Sequence, residues 1–254
     1  DHRDLHLSIR RQRQMCIRDR VEWLDIAMAR HTLVAPLSIL SRLNRMASDG
    51  SIELASRIAT LLPRAWDLDF DGAAELEQTL LSREGQVRSA LADALDEIIH
   101  RRGTAALPLL DTLLSDESEY VIRIATGSIR LTATLDPDGF ANRCARIVHQ
   151  TDSGIHRRFA QTALRDYLVL HPEDRKGLTV QLWINGDEIV RTRLRELLLH
   201  MIDEHADALS GILARIVEMD GADSLADLWR VLEVRSAESA TAWRNHIEHG
   251  AERP

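Results

Sequence analysis

Residues 86–100, QVRSALADALDEIIH, place Val87, Ala90, Leu91, Ala94, Leu95, Ile98 and Ile99 at steps of three and one. At 3.6 residues per turn that spacing gathers them into one apolar stripe, so the segment reads as a helix buried along its length. A loosely rewritten version of it returns about every 34 residues down the chain, a period at which paired helices stack into an array. The expectation is therefore an all-α fold made of repeated units. No stretch reads as an active site.

Taken in order, residues 21–30 carry Trp23, Leu24, Ala27 and Met28 on one helical face, and residues 33–47 form a second helix with Pro36 in its first turn. Ser51 is placed to cap a helix over 52–66. The turn Ser48-Asp49-Gly50-Ser51 has counterparts at Ser82-Arg83-Glu84-Gly85, Ser115-Asp116-Glu117-Ser118, Thr151-Asp152-Ser153-Gly154, Asn185-Gly186-Asp187-Glu188 and Asp220-Gly221-Ala222-Asp223. Looser Pro- or Gly-bearing connections, at 63–72, 101–104, 136–139 and 171–174, fall between them. Short polar turns thus join the two helices of a unit, and longer ones join unit to unit. This alternation is the pattern of a helical-hairpin solenoid of about six hairpins. A lone hairpin cannot cover both its apolar stripes, so each must shelter its neighbour. Phe140, Cys144, Ile147 and Val148 are predicted to meet Phe159, Ala160, Ala163 and Leu164, with Ala90, Ala94, Ala125, Gly127 and Ala163 giving close helix approach.

Composition narrows the class further. Aromatics make up 4% of the 254 residues against 44% hydrophobic overall, a Leu- and Ala-rich balance that favours helix on helix. Cys16 and Cys144 supply no disulfide framework and no metal spacing, which fits the cytoplasm. No apolar run reaches the ~20 residues a membrane-spanning helix needs. Residues 1–20 lack helical periodicity, and the string RQRQMCIRDR within them resembles a translated sequencing-adapter read-through. They are set aside as non-native or disordered. Without their six Arg and three Asp the formal charge moves from −8 to −11. The array then occupies 21–248, followed by a disordered tail at 249–254, and is expected to be truncated at its N-terminus.

A polar turn holding an acid, followed by an apolar residue and Arg at the start of the next helix, occurs as Glu84 with Val87-Arg88 and Asp116 with Val121-Ile122-Arg123. It recurs as Asp152 with Ile155-His156-Arg157 and Asp187 with Val190-Arg191. These four matches, spanning roughly 69–205, resemble the HEAT-like helical repeats. The resemblance implies a right-handed α-α superhelix whose concave inner layer is formed by the helix after each acid turn. It also implies a structural ladder in which Arg88, Arg123, Arg157 and Arg191 bond acids such as Glu84, Asp116, Asp152 and Asp187 of adjacent turns. The matching order makes 21–30 a second helix lacking its first.

The remaining arginines, Arg130, Arg158, Arg165, Arg193 and Arg195, are the candidate partner-binding residues of the concave face, where guanidinium groups grip carboxylates. The expected function is a non-enzymatic scaffold or adaptor taking a protein or peptide segment, with no catalytic residue, metal or cofactor. A second reading is the C-terminal regulatory array of a larger protein with its active domain upstream. A third is an alkyl-base DNA glycosylase of the HEAT-like type, since Trp66-Asp67 is similar to the aromatic and acid such a site would use. Net negative charge and a single lysine, Lys176, speak against nucleic acid. Glu97 and His100 have metal-ligand spacing but no second motif, and His246 with His249 sits near the chain's end.

Overall fold

A computed structural model of the chain describes residues 36–170 and 175–198, together with isolated positions 19, 22, 25, 26 and 216. The expectations for most of 1–30 and of 207–254, and for Cys16, His246 and His249, lie outside the described residues. The chain divides into two compact units, 1–125 and 126–254, and each is described by itself. Among the described residues every regular element is helical and none is a strand.

The first unit runs α1 (Pro36–Asp49), α2 (Ile52–Ala59), α3 (Leu62–Leu68), α4 (Phe70–Leu81), α5 (Gly85–Asp93), α6 (Leu95–Arg102), a 3-10 turn (Gly103–Ala106), α7 (Leu107–Leu113) and α8 (Glu119–Thr126). Its elements pack as two copies of a three-helix motif: α1 lies on α4, α2 on α5 and α3 on α6. Leu43, Ile58, Leu62, Leu76, Leu91 and Ile98 are fully buried there. At about 25 cal/mol per Å² of apolar surface removed from water, these layers supply the driving force for assembly.

The second unit holds a 3-10 turn (Ile129–Leu131), α9 (Thr132–Leu135), α10 (Pro137–Val148), α11 (Ser153–Thr162), α12 (Leu164–Leu170), α13 (Arg175–Asn185) and α14, helical over 188–198. Here α10 lies on α13 and α9 on α12. Phe140, Cys144, Ile147, Val148, Phe159, Ala160, Ala163 and Leu164 are all buried where α10 packs on α11 and α12. Burial raises the Cys144 thiol well above its ordinary range, leaving it an inert packing group.

The motif has three helices rather than the two read from the sequence. The single helix predicted over 86–100 is broken at Ala94 (φ −82°, ψ −7°) between α5 and α6. Equivalent breaks fall at Thr60 and Ala163. Thr60 donates from Oγ1 to the carbonyl of Arg57 at 2.7 Å. The buried face over 86–100 differs from the predicted stripe: Ser89 and Ala92 are buried, while Ala90 and Ala94 are only half-buried. Ala125 and Ala163 are fully buried.

Local chemistry fixes the helix starts. Ser51 Oγ, Asp69 Oδ1, Asp136 Oδ1, Asp152 Oδ1 and Asp187 Oδ1 accept from the amides of Leu54, Gly72, Gly139, Ile155 and Val190 at 2.8–3.3 Å, satisfying donors a helix cannot satisfy itself. Gly103 ends α6 at φ +57°, a backbone region that only glycine enters without strain.

Candidate binding surface

The predicted ladder residues sit at or beside the polar turns. In the first unit Arg88 Nε donates to Asp116 Oδ2 at 2.6 Å and Nη2 to Oδ1 at 3.0 Å. A further bond runs from Nη2 to Glu117 at 3.0 Å. The side chains of Arg88 and Asp116 are only 14% and 7% exposed, so this two-pronged pair is nearly dry and strong. It holds the Arg88 guanidinium above its ordinary pKa. Asp116 Oδ1 also accepts from the Ser118 amide at 2.8 Å. In the second unit Arg157 Nε reaches Asp187 Oδ2 at 2.7 Å, and that guanidinium holds the Asp187 carboxyl below its ordinary range. Each of these arginines reaches forward to the acid of the following turn, about 30 residues on.

The other ladder residues have different partners. Glu84 is exposed and pairs with its neighbour Arg83 at 3.0 Å, and a backbone hydrogen bond is the main influence lowering its pKa. Arg123 stacks over Tyr120 at 4.9 Å, and Asp152 caps α11. Arg191 Nε donates to the carbonyl of Trp183 at 3.1 Å and its guanidinium lies 5.8 Å from the Trp183 ring.

Two turn residues that sequence reasoning passed over reach one motif backward. The Arg83 guanidinium donates to the carbonyls of Ala47, Ser48 and Gly50, the last two at 2.7 and 3.2 Å. Asn185 Nδ2 donates to the carbonyl of Val148 at 3.1 Å. The signal available was a long polar side chain inside a turn, one period from the preceding helix end, whose carbonyls lack intrahelical partners.

Of the five candidate partner-binding arginines, Arg193 alone lines a cleft. α11 and α14 flank this cleft of about 310 Å³, lined by Arg157, Ala160, Gln161, Glu188, Ile189, Val190, Thr192, Arg193 and Glu196. Arg193 Nη1 pairs with Glu196 at 2.7 Å, while its Nε is buried without an acceptor. Arg195 Nη1 pairs with Glu188 at 2.8 Å and lies 5.2 Å from the Trp183 ring. Ile189 on the rim is 53% exposed. Arg158 is exposed on α11 and packs against Gly127, where an added Cβ would fall 2.5 Å from Nη2. Arg165 is exposed on α12. Arg130 is exposed beside α9 and has an interaction of its own. None of these three, nor Arg195, lines the cleft.

Trp66 and Asp67 are both engaged. The Arg102 guanidinium covers the Trp66 ring at 3.4 Å from its centroid, and Arg101 pairs with Asp67. The Asp67 side chain stays 53% exposed in this pair. Arg102 in turn meets Glu77 at 3.3 Å, with both side chains 13% exposed. Burial pushes the Glu77 carboxyl up and the Arg102 guanidinium down. Among the described residues no group of His, Cys, Asp and Glu could hold a metal, and no helix is long and apolar enough to cross a membrane.

Comparison of the chain with protein-family models, with curated proteins and with solved structures returns no match.

Proposed function

We propose that the chain is a non-enzymatic scaffold or adaptor that takes a segment of a partner protein at the cleft lined by α11 and α14. Its finer architecture, on this reading, is a right-handed superhelix of HEAT-like units. Two observations support the architecture: the three-helix motif repeats with counterpart packed on counterpart, and Arg–Asp pairs recur at the turns.

The cleft carries the functional part. It combines a half-exposed aliphatic anchor, Ile189, with guanidinium groups that keep spare N–H donors after their internal pairing. Arg157 spends Nε and Nη2 on Asp187, and Arg193 spends Nη1 on Glu196. An arginine has five N–H donors, so each retains some for a partner's carbonyl or carboxylate while Ile189 buries an apolar residue. Pre-pairing also holds the guanidinium groups in place, which lowers the ordering cost of binding.

The test is site-specific photocrosslinking. A benzophenone side chain at Ile189 should capture a discrete partner from the source cells' lysate, and Arg193→Glu should abolish capture. The same probe at Arg165, away from the cleft, should capture nothing comparable. Equal capture from both positions, or capture indifferent to Arg193→Glu, refutes the reading.

A further inference from the structure

Independently of the cleft, the first unit displays an aromatic side chain in a setting built to hold it still. Phe70, the first residue of α4, is 65% exposed, an unusual position for a phenyl ring. It is not loose. Its ring lies 5.1 Å from that of Trp66 at an interplanar angle of 61°, an edge-to-face contact. Trp66 is clamped by Arg102 on its face, and Arg102 is anchored by Glu77. Glu77, Arg102, Trp66 and Phe70 thus form a chain in which each group positions the next, and the open ring stands at its end.

The charges around that ring have one sign left over. Arg101 is matched by Asp67 and Glu97, Arg102 by Glu77 and Arg64 by Asp25. Asp69 and Asp71 flank Phe70 directly, and among the described residues no ion pair neutralises either. Asp69 Oδ1 accepts from the Gly72 amide at 2.8 Å, and Asp71 is exposed in the first turn. Both offset the partial positive charge of the helix start. An apolar partner docking on the ring would have to strip water from these carboxylates with no return. A planar cation would instead be attracted to the negative face of the ring and favoured by the negative charge of its two sequence neighbours, as Arg102 already meets Trp66 in the same unit.

We propose that Phe70, flanked by Asp69 and Asp71, is a docking point for an arginine side chain presented by a partner protein. The test uses an acetylated, amidated heptapeptide alternating glycine and arginine. Its comparator is the same peptide with citrulline, which keeps the shape of arginine and removes the charge. The arginine peptide should bind the full chain more tightly. Phe70→Ala and Phe70→Leu should each weaken it about two- to five-fold, the range for one exposed cation–ring contact, and leave citrulline binding unchanged. Leucine keeps the apolar area without the ring, so retained arginine preference in Phe70→Leu overturns the proposal. Equal binding of the two peptides to the unaltered chain overturns it as well. Far-UV circular dichroism identical to the parent certifies each variant, and if alanine disturbs the fold the leucine variant still decides.

Discussion

His156 offers the sharpest test of how the repeats are built. It occupies the place in α11 that Val87 holds in α5, Ile122 in α8 and Val190 in α14, each followed by an arginine. All four are buried, and His156 is fully so. Both imidazole nitrogens lack a hydrogen-bond partner. A buried polar group without a partner costs about 1–3 kcal/mol relative to an apolar group of similar shape. Replacing the ring by the smaller side chain found at the equivalent sites forfeits packing, roughly 1 kcal/mol of cavity and lost contact. The balance for His156→Val is a gain of about 0–2 kcal/mol, centred near 1. In urea unfolding followed by circular dichroism the midpoint should rise by about 0.5 M with the slope unchanged. The reverse change, Val87→His, should destabilise by about 2 kcal/mol or more. A His156→Val variant destabilised by over ~1 kcal/mol would show that the imidazole is satisfied or needed for shape, and would sink the argument.

Other expectations rest on the turns. Asp116→Ala should cost about 2–3 kcal/mol, because it strands a nearly buried Arg88 and frees the Ser118 amide. A double-mutant cycle with Arg88→Ala should give a coupling above ~1 kcal/mol, and additive losses would show the pair to be idle. Gly103→Ala should destabilise by about 1 kcal/mol by thermal melting although no atom lies within 4 Å of the added Cβ, since the cost is the φ of +57°. Asp187 has a folded pKa lowered chiefly by Arg157, so its stabilising share is complete above the ordinary carboxylate value of about 3.9 and fades as pH drops through the lower folded value. The melting difference between the parent and Asp187→Asn should therefore be constant at neutral pH and shrink in acid. A difference that grew on acidification would reverse the sign of the linkage.

Much of the local structure was readable from residue order. The apolar stripe, the Ser and Asp caps and the polar turns follow from helix geometry and from donors that must be satisfied near the chain itself. The breaks at Thr60, Ala94 and Ala163 were not readable, because neither threonine nor alanine stops a helix by propensity as glycine or proline does. The binding surface divides the same way. Arg193 stood out as an arginine outside the turn motif, but so did Arg130, Arg158, Arg165 and Arg195, and only the position of the cleft separates it from the others. Phe70 passed as one more apolar residue in a connecting segment until its exposure and its contact with Trp66 were known.

By itself the sequence determined that this chain is helical and where the helices with Ser and Asp caps begin, since those depend on interactions within a few residues. The tertiary structure decided which guanidinium meets which carboxylate, which apolar side chains face water, and where a cleft opens. Those outcomes depend on side chains about 30 residues apart being brought within 3 Å, and no local periodicity encodes that distance.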